Sequence, residues 1–285
     1  MNLLNDTEGA IQAGFPHKHF TIKHDLVGHP LFTVEALIEL ARALPEAQME
    51  WNSGDASISQ DPTKTPGNGL SPEETIKQIE ETKSWLVLKN IQVMPEYRKV
   101  LHECLQEVED LTSRYVTGVT QRAGFVFVSS PNSITPFHMD PEHNFLLQLR
   151  GSKTMNIFDP KDRQVVSEED IESTYYGAHK HRNLTYKDEF KAREEAVVLQ
   201  PGDAIHVPIH APHWVQNGPE VSISFSITFR SDQSQKNVRI HSLNGRLRSM
   251  GMKPKGLGES ALADNSKDLL IRTAVRAKKV LKKEA

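Results

Sequence analysis

The sequence predicts an α+β fold: a β-sandwich or barrel with a helical prelude before it and a helical tail after it. Three observations lead there. Apolar residues in the first third recur at helical spacing, short β-rich runs fill about 123–230, and helical spacing returns after 231. The 285 residues are 37% apolar and 25% charged, with a formal net charge of −3. Such a chain buries a sizeable core and is neither disordered nor dominated by one sign of charge. No apolar run reaches the roughly 18–20 residues of a membrane-spanning helix, so no membrane partner is expected. The opening MNLLNDTEGAIQ carries Asp6 and Glu8 without a basic stretch, which does not read as a signal peptide. Cys104 is the only cysteine, excluding a disulfide framework and a cysteine zinc site. A cytoplasmic protein is expected.

Each element has a local reason. Val34, Leu37, Ile38, Ala41 and Leu44 follow Thr33, an N-cap residue, at helical spacing, and Pro45 ends the run. Residues 52–71 are rich in Gly, Ser and Pro and predict a loop. Ser71-Pro72-Glu73-Glu74 is a capping box with proline in the first turn, opening a short helix to about Lys83. WLVLKNI (85–91) predicts a strand, and Pro95 opens a helix with Val100, Leu101, Cys104, Leu105, Val108 and Leu111 on one face. Strands follow at 124–130, 145–151, 154–160, 196–208 and 221–229. In the last, Ser222, Ser224, Ser226 and Thr228 alternate with Ile223, Phe225, Ile227 and Phe229, so the hydroxyls share one face, toward solvent or a polar cavity. Helical spacing resumes with Leu243, Leu247 and Met250, and a final helix begins near 259. This divides the chain into a mainly helical region (1–84), a barrel (85–230) and a helical extension (231–285).

The chemistry centres on His138 and Asp140. At i and i+2 of a strand, imidazole and carboxylate point the same way and reach one metal ion; alone, such a pair is a weak signal. A third ligand on a late strand would complete two histidines and a carboxylate, the facial set of non-haem Fe(II) oxygenases, with open positions left for reactants. His206, His210 and His213 compete for that place, and strand alternation alone does not choose among them.

Residues 202–217, GDAIHVPIHAPHWVQN, resemble the second cupin motif, G(X)5PXGXXHXXXN, at Gly202, Pro208, His213 and Asn217. The resemblance selects His213 as third ligand. His210 stands where the motif has glycine. From Thr135 the chain reads TPFHMDPEHNFLLQLRGSKTMNIFDP, similar to the Jumonji C-like, Fe(II)/2-oxoglutarate-dependent hydroxylases, especially the asparaginyl hydroxylase branch that inhibits the hypoxia-inducible factor. The agreement covers about 120–230. It implies a double-stranded β-helix (cupin-type jelly roll), with His138, Asp140 and His213 holding Fe(II). It also implies that Lys153 and Thr135 meet the distal carboxylate of 2-oxoglutarate, and Asn144 the proximal one; Gln148 to Gly151 would form the family's turn. The implied reaction consumes 2-oxoglutarate and dioxygen, hydroxylates an unidentified prime substrate and releases succinate and CO2. The physics of Lys153 points the same way, since an ammonium inside a barrel is costly without an anionic partner. Two alternatives stand beside this reading: a metal-binding cupin of another class (an isomerase or a keto-acid-independent dioxygenase), and a non-enzymatic Jumonji-like regulator.

Other residues carry plainer expectations. His143 reads as a turn residue, His179 and His181 as an exposed polar loop, Trp214 as core packing, and Cys104 as a small core residue. The insert 161–195 is long enough to bind substrate, but nothing in it singles out Tyr175 or Tyr176. Residues 271–285 are strongly basic, which suits the end of a solvated helix, while the acidic remainder argues against nucleic acid. The helical extension is expected to pair with a second copy.

Overall fold

The computed structural model describes residues 3–6, 9–61, 64–176 and 182–281, with the backbone alone at 278–281. The strands are β1 (Leu4–Asn5), β2 (Phe20–His24), β3 (Met49–Ser53), β4 (Ser84–Lys89), β5 (Thr120–Ser129), β6 (Ile134–His138), β7 (His143–Arg150), β8 (Lys153–Ile157), β9 (Glu195–Leu199), β10 (Asp203–Val207), β11 (His213–Asn217) and β12 (Ser222–Arg230). The helices are α1 (Ala10–Gly14), α2 (Val34–Ala43), α3 (Pro72–Lys77), α4 (Pro95–Thr112), α5 (Glu168–Ser173), α6 (Asp232–Ser249) and α7 (Ala261–Leu281).

Two antiparallel sheets face each other. The major sheet runs β1-β2-β10-β7-β12-β5-β4-β3 and the minor sheet β6-β11-β8-β9. From β6 onward the chain alternates between them, apart from the β8–β9 hairpin, so the expected jelly-roll core is present. The major sheet's outer face packs Phe145, Leu147, Phe225, Ile227 and Phe229 against Leu37, Leu101 and Cys104 of the helical layer. Its inner face meets the minor sheet in a second apolar cluster, in which Leu146, Ile205 and Val207 touch Met155, Ile157, Leu199 and Val215. Among the described residues no helix is long and apolar enough to cross a membrane.

Local signals explain most boundaries. Thr33 caps α2 by accepting from the Ala36 N–H, and Ser71 and Glu74 form both halves of the capping box of α3. That helix stops at Lys77, short of the expected Lys83. The region expected to be mainly helical also supplies three strands, two of which extend the major sheet at opposite ends: β2 pairs with β10 (Ile22 opposite Ala204), and β3 with β4 (Trp51 opposite Leu86). FTIKH and MEWNS alternate apolar and polar residues over only five positions, so tertiary pairing, more than so brief a local pattern, makes them strands. The single run expected over 196–208 is two strands, broken at Pro201-Gly202 where the chain changes sheet. Gly151, at φ 64°, closes the β7–β8 turn; a Cβ there would lie 2.5 Å from the Val221 carbonyl oxygen, so only glycine fits.

Candidate metal and co-substrate site

β6 ends at His138, and β11 begins at His213 directly opposite it. Asp140 lies beyond the end of β6, so its approach to His138 comes from the following turn and not from the strand alternation expected. His138 Nδ1 lies 2.7 Å from the Pro136 carbonyl oxygen, and His213 Nδ1 lies 3.0 Å from that of Ala211. A carbonyl only accepts, so each Nδ1 carries the proton and each Nε2 keeps its lone pair free. The rings stand 4.1 Å apart between centroids. One ligand atom from each of His138, Asp140 and His213 lies within 4.8 Å of the others. With bonds of about 2.0–2.2 Å to a first-row divalent ion, a small closure brings all three onto one centre.

The electrostatics suit a cation. Burial alone would raise the Asp140 carboxyl, but His138, Arg182 and His213 nearby, with a hydrogen bond from Asn144, hold it down at about 2. Asp140 is therefore ionised at neutral pH. Burial depresses His213 to about 4, which keeps its imidazole neutral and able to ligate. Arg182 Nη1 lies 3.0 Å from Asp140 Oδ1, and Asn144 Nδ2 donates to Oδ2 at 3.4 Å. Ser226 fixes that amide in turn by donating to Asn144 Oδ1 at 2.6 Å.

The three competing histidines go to different places. His206 points into the helical layer, stacked on Phe20 at 4.9 Å between centroids, with Nδ1 against the Lys18 carbonyl. His210 occupies the motif's glycine position with the backbone glycine would use, φ 62°, and its N–H donates to the Asp140 carbonyl at 2.8 Å. The turn is thus kept, while the His210 side chain runs outward to the Tyr175 hydroxyl, 2.5 Å away. Only His213 faces His138.

A row of interior positions leads from these residues to Lys153. On the paired strands, His213 faces Ile157, Val215 faces Met155, and Asn217 faces Lys153. Four residues of strand separate the two ends of the row, about 13 Å between Cα atoms. Lys153 is only 5% exposed, has no acidic partner among the described residues, and burial pulls its ammonium down to about 7. Thr135 belongs to the same row. Strict alternation would place it opposite to His138, but β6 spends three steps (135 to 138) where β11 spends two (213 to 215). This bulge returns Thr135 to the inner face, beside Val215.

The family match follows this geometry. A model of the cupin-like domain matches residues 67–235. The chain belongs to the cupin-like domain family. The cupin-like chain is 28% identical over 101 residues to lysine-specific demethylase 8 of Danio rerio, covering 34% of this chain and 24% of that protein. It is 32% identical over 98 residues to Jumonji C domain-containing protein 5 of Drosophila melanogaster, covering 33% and 24%. The match therefore spans about a quarter of these curated relatives. Escherichia coli YcfD superposes with a TM-score of 0.54 at 15% identity, covering 95% of this chain and 68% of that one. A second structure, described as the ribosomal oxygenase YcfD in complex with cobalt and 2-oxoglutarate, gives 0.52 at 15%, covering 90% and 60%. At that identity the likeness speaks to fold alone, and it agrees with the jelly-roll core.

Several residues lay outside the sequence reading. Arg182 follows the polar stretch of His179 and His181, and no local pattern links it to its partner Asp140, 42 positions away. Tyr175 and Ser226 carried no signal that distinguished them from their neighbours. His143 is not a turn residue: it opens β7 and stacks on Phe229 at 4.9 Å. His179 and His181 fall outside the described residues. Trp214 packs beside Tyr186 in a cluster with Phe137, Phe158 and Phe190, and donates its indole N–H to Glu194 at 3.2 Å.

Proposed function

We propose that this cupin-like chain is an Fe(II)- and 2-oxoglutarate-dependent oxygenase that hydroxylates an unactivated C–H of a protein side chain, amino acid or small metabolite. The observation that carries the reading is one interior row with a three-ligand cluster at one end and an unpaired, buried ammonium at the other. That spacing suits a short dicarboxylate chelating a metal and ending on Lys153. When bound, the iron and keto acid supply the oxidant, with succinate and CO2 as co-products.

The chain's own residues do the rest. His138, Asp140 and His213 hold the ion on one face. Lys153 provides charge and Thr135 a hydroxyl at the far end of the co-substrate. Asn144, anchored by Ser226, orients Asp140 and faces the proximal carboxylate. Val215, Met155 and Ile157 exclude water between the two ends. In this reading 85–230 is the catalytic unit, with 1–84 and 231–285 attached to it. The work takes place in the cytoplasm, where the single buried Cys104 stays reduced.

The deciding experiment follows iron-loaded protein by calorimetry or NMR as 2-oxoglutarate is added, then measures succinate with candidate substrates. Binding in the micromolar to low millimolar range supports the reading. No binding at millimolar concentration overturns it and leaves a metal-binding cupin of another class.

The reading includes a homodimer. Along α7, among the described side chains, the buried residues are acidic, Asp264 and Asp268, while Leu262 and Leu269 are 79% and 65% exposed. A helix with its apolar side outward suits a second copy. Sedimentation velocity should give a dimer that Leu262→Glu with Leu269→Glu converts to monomer; a monomeric wild type sinks this part.

A further inference from the structure

A second cluster of metal-capable side chains lies where the insert meets the C-terminal extension. One ligand atom each from Glu168 and Glu172 on α5 and His241 on α6 lies within 4.8 Å of the others. Glu172 is 1% exposed and His241 3%. Each carboxylate spends one oxygen on an arginine: Glu168 Oε1 accepts from Arg163 Nη2 at 2.6 Å, and Glu172 Oε2 from Arg248 Nε at 2.7 Å. The other oxygens, Glu168 Oε2 and Glu172 Oε1, are buried without a hydrogen-bond partner, and so is His241 Nδ1.

Three unpartnered polar atoms in one place are unusual, because buried polar atoms are nearly always paired. A separate observation strengthens the case. Asn244, one helical turn after His241 and fully buried, donates Nδ2 to the Lys255 carbonyl at 3.1 Å and leaves its Oδ1 unpartnered. A proton placed on either carboxylate bridges only two of these four atoms. A divalent ion accepts electron pairs from all of these groups at once, and the two arginines then act as the hydrogen-bonded outer partners that orient ligating carboxylates.

We propose that Glu168, Glu172 and His241 form a second site, for a divalent first-row transition-metal ion, that pins α5 to α6. Mixed imidazole and carboxylate donors suit manganese, iron or zinc better than calcium or magnesium, which take oxygen alone. The site sits directly behind the first: Tyr175 stacks on His241 at 5.9 Å and holds His210, whose N–H meets the Asp140 carbonyl. It does not depend on the oxygenase reading, since no ligand is shared between the two clusters.

The test removes the first cluster. Full-length protein carrying His138→Ala and Asp140→Ala is titrated with Mn(II), and bound metal is counted by EPR and elemental analysis. One Mn(II) per chain is expected, with histidine nitrogen coupling in pulsed EPR and a melting temperature raised by several degrees. Adding Glu172→Gln should abolish all three. Should that variant fail to fold, His241→Gln decides by whether the nitrogen coupling disappears. No bound Mn(II) at submillimolar concentration overturns the site, as does coupling that persists in folded His241→Gln. Loss of 2-oxoglutarate binding in wild-type protein would end the oxygenase reading and leave this one standing.

Discussion

The two faces of β12 differ more than any other pair of surfaces in the molecule. Phe225, Ile227 and Phe229 lie fully buried in an apolar layer shared with the helices. Ser224, Ser226 and Thr228, alternating with them, look inward at Asn144, Gln148 and the metal-capable cluster. There Ser224 donates to Gln148 Oε1 at 2.7 Å, while Gln148 Nε2 holds the carbonyls of Arg150 and Gly151 at 2.7 and 2.9 Å. One face holds the sheet to its helices through area; the other positions side chains through directed bonds. A strand's period of two lets the same nine residues serve both purposes, and the purposes fail differently when disturbed.

The largest break belongs to the inner face. Replacing His213 or His138 by alanine should abolish iron binding, and turnover with it, without unfolding the protein; elemental analysis after identical reconstitution checks this against His210→Ala, which should keep its iron. An iron-free His210 variant beside an iron-loaded His213 variant would reverse the assignment. On the outer face, Phe225→Ala should leave metal affinity intact but cost about 3–5 kcal/mol of stability, seen in denaturant midpoints.

Lys153→Ala tests the inner face without touching the metal. Loss of the charge partner should weaken 2-oxoglutarate binding by about 2–5 kcal/mol, at least tenfold, with Fe(II) binding preserved. The pH dependence has a definite sign. Burial lowers the ligand-free ammonium to about 7, so above that pH the side chain must take up a proton to receive a dicarboxylate. Affinity should be flat below about pH 7 and fall above it by up to about tenfold per unit, a slope absent in the alanine variant. Because the folded value lies below the unfolded one, Lys153 should also make the free protein more stable as pH rises from about 7 toward 10. Calorimetry in buffers of different ionisation enthalpy would register the proton uptake, and its absence at pH 8 would place the ammonium in solvent.

Smaller effects sharpen the contrast. Ser226→Ala removes one hydroxyl from the bond to Asn144 and should cost about 1 kcal/mol in stability, with a modest loss of metal affinity. His210→Gly should be gentlest. Glycine is at ease at φ 62°, so the turn and the iron should survive while the link to Tyr175 is lost.

The legible parts of this chain were those in which local chemistry suffices. Thr33, Ser71 with Glu74, and the Ser/Ile alternation of β12 announce caps and faces within a few residues. The spacing from Gly202 to Asn217 points to His213, the one of three rivals that lies opposite His138, and Lys153 is buried. The pairing of β2 and β3 was not legible, since nothing in FTIKH or MEWNS says that a partner arrives from residue 203 or 84. Thr135 reaches the interior only through a bulge that the sequence does not show. Arg182 meets Asp140 across an insert whose path no local pattern fixes. What could not be read was, in each case, a long-range pairing.

The insert itself leaves β8 at Ile157 and re-enters β9 at Glu195, two residues that face each other across the same hairpin. Its ends are therefore already side by side, and the closure entropy changes slowly with the length of chain between them. The same segment is tied to β6, where the Leu184 N–H donates to the Phe137 carbonyl at 2.8 Å and the Met139 N–H to the Arg182 carbonyl at 3.1 Å, and it brings Tyr175 to His210 and Arg182 to Asp140. A change of length there costs little in closure as long as the bridge between Asn183 and His138 is kept, because that bridge, not the length of the loop, fixes where the returning chain meets the end of β6.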